Sequence, residues 1–422
     1  MNTLRKIWCR TYQTAFRVAL PLLPYREPKL LENMDTVADL LAGKGLSPVL
    51  IVTDKGISSL GLLRGLTDAL DAQGVEWRVF DEVTANPTIH NVEAARQMYL
   101  DEGCKALIAF GGGSSMDCAK ACGARIVRPK KPVQKMRGLL QVMHRLPTLI
   151  AVPTTAGTGS ETTLAAVITD SETKHKYPIN DFSLIPHYAV LDPAVTAGLP
   201  AGLTATTGMD ALTHAVEAYI GRSTTAHTRA MAIEAVQLIR QYLKRAYDNG
   251  QDLEARAKML RAAYCAGVAF TQSYVGYVHG VAHSLGGQYG LPHGLANAII
   301  LPWFLEEYGP ACHHRLGELA RKTGVAPADA SDAEAAGIFI AWVREMNESM
   351  GIPRTVDCIQ PEDIPQMAAH ANQESNPLYP VPKLMDAEEL AHMYDVIAGS
   401  QTAGKGASHE RRIPYQSAAA IL

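Results

Sequence analysis

Four side chains in two segments of the chain could together bind a metal ion. Asp210 and His214 lie four residues apart in TGMDALTHAVEAY, and His279 and His293 follow in VHGVAHSLGGQYGLPHGLANAI. Residues i and i+4 share one face of an α-helix, so the first pair could bind one ion from a single helix. Three imidazoles and one carboxylate hold a divalent first-row metal at a net charge of about +1, which leaves it able to polarise a substrate oxygen. Most of the 14 histidines are expected to be ordinary, so this prediction depends on the joint pattern.

A glycine-rich turn follows the apolar run ALIAF in the segment AFGGGSSMDCAK. The pattern predicts a strand, a turn at Gly111, Gly112 and Gly113, and then a helix. The free N–H groups at the start of such a helix, including that of Ser114, favour a phosphate. The spacing is not GxGxxG, so a glycine turn without a ligand is the alternative. Asp117, one helical turn further on, could cap this helix or hold the loop.

Two further loops could complete a nucleotide cleft. Asp54 follows the strand PVLIVTD, where a carboxylate can bind an adenosine ribose and repel a 2′-phosphate, which favours NAD over NADP. A helix N-cap is the alternative role for Asp54. The loop VPTTAGTGSETT (152–163) offers hydroxyl and N–H donors for a second wall, and its alternative is an ordinary Ser/Thr-rich turn.

Composition excludes several classes of function. A chain of 422 residues with 47% hydrophobic residues can bury a large core in two or three domains. Its net charge of −3 provides no field that would attract nucleic acid or an anionic membrane. The basic stretch 125–145 lacks interleaved aromatic residues and is interpreted as a solvated excursion between strands. Small molecules are therefore the expected partners.

The seven cysteines are scattered and contain no CxxC pair, which argues against disulfides and thiolate zinc and favours a reducing cytoplasm. No apolar run approaches the roughly 20 residues that span a bilayer. Residues 1–26 contain five basic residues and no acidic one. Charges at Arg10 and Arg17 argue against a secretory signal, while a transit segment or a packaging helix stays open. The preferred interpretation is a short helix that lies on the globular body through Leu4, Trp8, Phe16 and Leu20.

The order of elements predicts two halves of different class. Apolar runs alternate with helical segments at 58–72 and 91–102, giving strands at PVLIVTD, VEWRVFDEV, ALIAF, TLIAVPTT, LAAVITD and HYAVLD. Long amphipathic helices without strands follow. We therefore expect an N-terminal extension (1–30), an α/β Rossmann-like domain that binds NAD (31–200) and an all-α domain for metal and substrate (201–422).

Taken in order, GGGSSMDCAK, PTTAGTGSE, GMDALTHAVEAY and HGVAHSLGGQYGLPHGLANAIILP closely resemble the iron-containing (group III) alcohol dehydrogenase family. YPVPKLM at 379–385 also resembles that family's C-terminal half. The resemblance covers nearly the whole chain from about residue 30. It implies a Rossmann-like domain followed by a helical domain, a cleft between them and a homodimer. The basic N-terminal extension and the longer 125–147 insertion depart from the family's simplest members.

The resemblance also implies individual roles. Metal binding falls to Asp210, His214, His279 and His293, with Fe²⁺ expected and Zn²⁺ as the alternative. Pyrophosphate contacts fall to Gly112, Gly113, Ser114 and Asp117, with Asp54 on the adenosine ribose and Asn86 lining the cofactor cleft. The nicotinamide side would be lined by Thr154, Thr155, Thr158 and Thr163, with Lys176 near the nicotinamide ribose.

These features together predict NAD-dependent oxidation of a primary alcohol and the reverse reduction of an aldehyde, with the metal on the substrate oxygen. His283, one turn from His279, could relay the hydroxyl proton or only orient the site. One alternative is a dehydroquinate synthase-like lyase, for which a Glu with two His and a basic cleft would be expected. A hydroxyacid-oxoacid transhydrogenase and a non-catalytic scaffold are the others.

Overall fold

The computed structural model describes residues 1–172 and 175–399, and the end of the predicted helical half, 400–422, lies outside these residues. Six strands of the first half form one sheet: β1 Lys29–Leu31, β2 Val49–Val52, β3 Trp77–Phe80, β4 Ala106–Gly111, β6 Thr148–Pro153 and β9 Tyr188–Val190. Their order is β1-β9-β6-β4-β2-β3, and every neighbouring pair is parallel. Residues of β2 and β4 are buried throughout, as a parallel sheet covered on both faces requires.

The helices of this half are α1 Thr3–Ala19, α2 Met34–Gly43, α3 Lys55–Ser59, α4 Arg64–Ala72, α5 Ile89–Asp101 and α6 Gly113–Val127. The single helix predicted over 58–72 is wrong, because the chain turns between α3 and α4. Gly61 adopts φ +69° there, a left-handed conformation that interrupts a helix. The predicted helix over 91–102 corresponds to α5.

A second sheet of three strands, β5 Gly138–Leu139, β7 Ala165–Asp170 and β8 His175–Asn180, lies beside the first in the order β5-β8-β7. The excursion over 125–145 is not simply solvated, since Val133, Met136 and Val142 are fully buried. Arg125 lies in this excursion and donates to the backbone carbonyls of Arg128 and Lys131. Its guanidinium is thus bound to backbone acceptors. The isolated basic residues gave no signal of this packing.

Helices alone make up the described part of the second half, 201–399. They are α7 Ala201–Ile220, α8 Ala226–Asp248, α9 Leu253–Ser273, α10 Tyr277–Tyr289, α11 His293–Tyr308, α12 Pro310–Lys322, α13 Asp332–Ser349, α14 Ile364–Ser375 and α15 Ala387–Ile397. Capping boxes at Thr225, Ser331 and Asp386 fix three of the helix starts. The predicted fold class, α/β followed by all-α, is confirmed; the domain boundaries stay a prediction.

Helix α1 lies on the helical half. Arg10 donates to the backbone carbonyls of Val381 (2.7 Å) and Pro382 (2.8 Å), and Gln13 donates to that of Tyr379 (2.7 Å). Packing on the globular body was expected, but through a partly different face: Leu4 and Trp8 are 80% and 59% exposed. Both lie about 140° or more round the helix from Gln13, which is 3% exposed.

The loops that could bind a ligand meet at the carboxyl edge of the large sheet. The chain leaves β2 towards β3 on one side and returns to β4 on the other, so the strand order reverses between β2 and β4. The loop after β6 then reaches the helical half. A Cβ on Gly157 would lie 2.6 Å from Thr207 on α7, and one on Gly159 would lie 2.7 Å from Gly267 on α9. In the described chain, no helix is long and apolar enough to cross a membrane.

Candidate active site

The structure brings the four predicted metal-binding side chains together. Asp210 and His214 lie on α7, His279 lies on α10, and His293 is the first residue of α11. One potential ligand atom from each lies within 4.8 Å of those of the other three. Three of these side chains are buried and His293 is partly exposed, so the cluster has one side open towards the cleft.

The chemistry of this cluster suits a cation. Nδ2 of the fully buried Asn297 lies 2.7 Å from Asp210 Oδ1 and 3.1 Å from Nε2 of both His279 and His293. One amide nitrogen has two hydrogens, so it cannot satisfy three acceptors at once. Lone pairs that converge without enough donors are what a divalent ion would satisfy.

Glu217 fixes the ring of His279 from behind. Its Oε2 lies 2.5 Å from His279 Nδ1, and it also accepts from the backbone N–H groups of Gly276 (2.9 Å) and Val278 (3.0 Å). At that distance one proton lies between Oε2 of Glu217 and Nδ1 of His279, and burial raises the pKa of Glu217 and lowers the pKa of His279. With that proton on Nδ1, the Nε2 lone pair faces the cluster, which is the arrangement of a metal-binding histidine.

Desolvation lowers the pKa of the other two imidazoles. It lowers the pKa of His214, against the opposing effects of Asp210 and of the Gly157 backbone. Desolvation lowers the pKa of His293 to about 4 against the opposing effect of Asp210, and the nearby His283, His214 and Lys176 lower it further. Both rings are therefore neutral at neutral pH. A neutral imidazole is the form that binds a metal.

His283 faces the same cluster and is held by a second carboxylate. Its Nδ1 lies 2.6 Å from Oε1 of Glu374, which also accepts from the hydroxyl of Tyr379 at 2.6 Å. The imidazoles of His283 and His293 stack with their centroids 5.1 Å apart. Burial acts to lower the pKa of His283, but Glu374 outweighs it and the pKa is raised.

The glycine turn after β4 has the form expected of a phosphate cradle. Gly111 has φ +152°, and a Cβ there would lie 2.5 Å from Ser115 Oγ, so any larger residue would be strained and would displace Ser115. Gly112 precedes α6 and gives it no side-chain cap, which leaves the first N–H groups of a 15-residue helix for a ligand. Ser114 Oγ donates to the carbonyl of Ala85 and joins the loop after β3 to this turn.

Asp54 and Asn86 line the same edge. Asp54 caps α3 by accepting from Ile57 N–H at 3.1 Å, and its second oxygen lies 3.5 Å from Ser115 Oγ. Asp54 therefore has the N-cap role, and its second oxygen faces the glycine turn. Lys176 on β8 donates to Asn86 Oδ1 at 2.9 Å, linking the second sheet to the loop after β3.

Three threonines of the loop after β6 lie beside the glycine turn. Thr155 and Thr158 face the glycine turn, since a Cβ on Gly112 or Gly113 would meet them at 3.7 and 3.3 Å. Thr154 is buried, and its N–H donates to the carbonyl of Gly111 at 3.0 Å.

Thr163 belongs to a buried cluster under the loop. Its hydroxyl lies 2.8 Å from Nζ of Lys120, and Ser160 Oγ and the carbonyls of Thr163 and Ala165 lie within 3.1 Å of the same atom, so the three hydrogens of Lys120 are shared among four acceptors. Lys120 is fully buried, which lowers its pKa to about 8. Asp117 accepts from Ser160 Oγ and from the N–H of Val167, both at 2.9 Å. Each oxygen of Asp117 thus accepts a hydrogen bond from the protein. Asp117 therefore holds the loop, which was one of its two expected local roles.

Sequence reasoning missed Glu217, Asn297, Glu374, Tyr379 and Lys120. Two of them share a helix face with a predicted ligand, because Glu217 is seven residues after Asp210 and Asn297 is four after His293. Lys120 stands among small apolar residues of α6, a position unusual for a charged side chain. Glu374 and Tyr379 lie about 90 residues beyond His283, and no local pattern links them to it.

Two family models match this chain. Residues 31–193 match the family model described as iron-containing alcohol dehydrogenase, and residues 204–397 match the model of the C-terminal part of the same family. The 1,3-propanediol dehydrogenase of Klebsiella pneumoniae is 35% identical over 90% of this chain and 98% of its own length.

Two other relatives give the same result. The NAD-dependent methanol dehydrogenase of Bacillus methanolicus is 38% identical over 79% of this chain and 89% of its own. The solved structure of an alcohol dehydrogenase from Oenococcus oeni superposes with a TM-score of 0.84 at 34% identity, covering 88% of this chain and all of that one. The family models span both halves of the fold, and the chain belongs to the iron-containing alcohol dehydrogenase family.

Proposed function

We propose that this chain interconverts a primary alcohol and its aldehyde by hydride transfer to and from NAD, at the junction of the glycine turn and the Asp/His cluster. The observation that carries the proposal is the convergence of Asp210, His214, His279 and His293 within 4.8 Å beside the cofactor-type loops. As a member of its family, the chain is an NAD-dependent, metal-containing oxidoreductase that acts on CH–OH groups. The lyase alternative would need a glutamate and two histidines, a different donor set.

Each part of the cleft has a separate task. The four clustered residues would hold a divalent metal, which when bound supplies Lewis acidity towards an alcohol oxygen. Gly112, Gly113 and Ser114 would bind the pyrophosphate at the start of α6. Asp117 supports this turn indirectly, because its carboxylate holds Ser160 and Val167.

The walls of the cleft would position the two ends of the dinucleotide. Asp54 would accept a hydrogen bond from the adenosine ribose and repel a 2′-phosphate, so NAD is preferred over NADP. Thr154, Thr155 and Thr158 would line the nicotinamide side. Thr163 would act through Lys120, since their side chains are bonded to each other.

Two basic residues would serve the nicotinamide end. Lys176, which is held by Asn86, would face the nicotinamide ribose. His283 would accept the alcohol proton at Nε2 and pass it to solvent, because Glu374 already occupies its Nδ1.

Other parts of the proposal rest on the composition of the chain and on its family. We assign Fe²⁺ as the resident metal, with Zn²⁺ also compatible with one carboxylate and three imidazoles. The described cysteines are all free thiols, which supports a reducing compartment such as the cytoplasm. A homodimer is the expected assembly.

The test joins metal content to turnover. The purified protein is loaded anaerobically with Fe²⁺ and mixed with NADH and short unbranched aldehydes, and absorbance of NADH is followed. We expect turnover with the wild type and loss of both bound metal and turnover in His279→Ala. The exposed His144 lies outside the cleft, so His144→Ala should keep both. Full activity of a metal-free preparation would overturn the proposal.

A further inference from the structure

The ring of His283 depends on contacts that lead away from the cleft. Its side chain is 43% exposed, so packing against neighbouring side chains fixes its orientation only in part. Nδ1 of His283 lies 2.6 Å from Oε1 of Glu374, which is itself 37% exposed near the end of α14. A half-exposed glutamate samples several rotamers unless another group holds its carboxylate. The orientation of His283 therefore depends on what holds Glu374.

Tyr379 holds this carboxylate. Its hydroxyl donates to Oε1 of Glu374 at 2.6 Å, and the residue is only 7% exposed. Tyr379 lies in the segment 376–386, which forms neither helix nor strand. The backbone carbonyls of such a segment have no ladder of their own, so other parts of the protein have to bind them.

Two side chains of α1 bind these carbonyls. Nε2 of Gln13 donates to the carbonyl of Tyr379 at 2.7 Å and to that of Pro377 at 3.2 Å. Arg10 donates to two carbonyls further along the segment and to Oε1 of Gln13 at 2.8 Å. Gln13 is 3% exposed, so water competes little for these hydrogen bonds.

Aromatic contacts reach the ring of Tyr379 from the same helix. Phe16 of α1 meets the edge of Tyr274 with ring centroids 5.0 Å apart, and the ring of Tyr274 lies 6.5 Å from that of Tyr379. Helix α1 thus binds the backbone of Tyr379 directly and reaches its ring through Tyr274. The family models match from residue 31 onwards, so this support comes from outside the matched region.

We propose that Gln13 is a positioning residue of the active site and acts on His283 from outside the cleft. Gln13 holds Tyr379, Tyr379 holds Glu374, and that carboxylate keeps the proton of the imidazole on Nδ1. Nε2 then faces the cleft with its lone pair free. The inference rests on the proposed function, in which this Nε2 accepts the alcohol proton. A displacement of about 1 Å at such a group can cost about 10²-fold in rate, even when the change lies far from the chemistry.

Double variants test this path by steady-state kinetics of the metal-loaded protein. Gln13→Leu removes the amide donor at similar size, and Tyr379→Phe removes only the hydroxyl. Each should lower kcat for aldehyde reduction about tenfold or more, with bound metal and KM for NADH unchanged. In a His283→Ala background neither should lower kcat further, because both act through that ring. Equal losses with and without His283 would overturn the proposal.

A second measurement does not depend on turnover. The Nδ1–H proton of His283 is observed by NMR in protein labelled with ¹⁵N-histidine and loaded with diamagnetic Zn²⁺, and its loss in His283→Ala assigns it. We expect this resonance to shift in Gln13→Leu and in Tyr379→Phe. The matched control Gln97→Leu changes an exposed glutamine on α5 and should alter neither the resonance nor kcat.

A resonance that stays in place in both test variants would overturn the proposal. Absence of aldehyde turnover in the wild type would instead overturn the proposed function, and the resonance would still report whether Gln13 positions His283.

Discussion

The carboxylate of Glu217 lies 2.5 Å from Nδ1 of His279, and the two side chains are only 4% and 2% exposed. The same carboxylate accepts the N–H groups of Gly276 and Val278 at the start of α10, where Gly276 offers no side-chain cap. One residue of α7 thus caps α10 and orients a candidate metal ligand on it. Metal affinity and the placement of α10 therefore depend on the same contact.

Replacing Glu217→Gln should lower metal affinity by about 10–100-fold. Glutamine carries no negative charge, so it supports the Nδ1 proton of His279 less well and leaves the imidazole a weaker ligand. Competition with a chromophoric chelator measures this affinity, and excess metal should restore part of the turnover. Glu254→Gln changes an exposed glutamate and serves as the control. Unchanged affinity in Glu217→Gln would show that His279 needs no such support.

Lys120→Met should loosen the loop after β6. The ammonium of Lys120 satisfies the carbonyls of Thr163 and Ala165, and methionine leaves both without this donor. We expect the free energy of unfolding to fall by about 3–5 kcal/mol and KM for NAD to rise more than kcat falls. Urea unfolding and steady-state kinetics measure the two effects, with the exposed Lys244→Met as control. An unaltered KM would separate this cluster from cofactor binding.

Gly159→Ala should disturb the contact between the two halves of the fold. Gly159 has φ +60°, and a Cβ would lie 2.7 Å from the Cα of Gly267. Backbone strain and overpacking together predict a loss of about 2–5 kcal/mol in the free energy of unfolding. Gly337→Ala is the matched control, since nothing lies within 4 Å of its Cβ on α13, and it should stabilise by up to about 1 kcal/mol. Similar unfolding curves for both variants would contradict the prediction that Gly159→Ala lowers stability.

His187 should make the protein less stable in mild acid. Burial lowers its pKa to about 4, and the neighbouring cations Arg26, Arg145 and Lys44 act in the same direction. Its Nδ1 accepts from the N–H of Leu149 at 3.1 Å, which requires the unprotonated ring.

The unfolded chain binds a proton at His187 below about pH 6.5, and the native protein does so only near pH 4. Its contribution to stability is therefore complete above pH 6.5 and declines as pH falls to about 4, by at most about 3 kcal/mol. Urea unfolding across this range should show a shallower slope in His187→Asn. A slope equal to that of wild type would assign the acid sensitivity to other groups.

The sequence alone determined the two-part fold and the four clustered residues. Buried parallel strands appear as short apolar runs, and helices without strands appear as long amphipathic segments, so the change of class after residue 190 was visible. Asp210 and His214 could be paired because helical periodicity is local. His279 and His293 joined them through their motifs and the family resemblance.

Only the tertiary structure decided which groups support these residues. The contact of Glu374 with His283 spans 91 positions, and the bonds of Lys120 to the loop after β6 span 40 or more. No periodicity reaches so far, because such pairs form only when separate elements pack. The rotation of α1 was decided in the same way: Arg10 and Gln13 found backbone carbonyls on the helical half, and that docking turned Leu4 and Trp8 outwards.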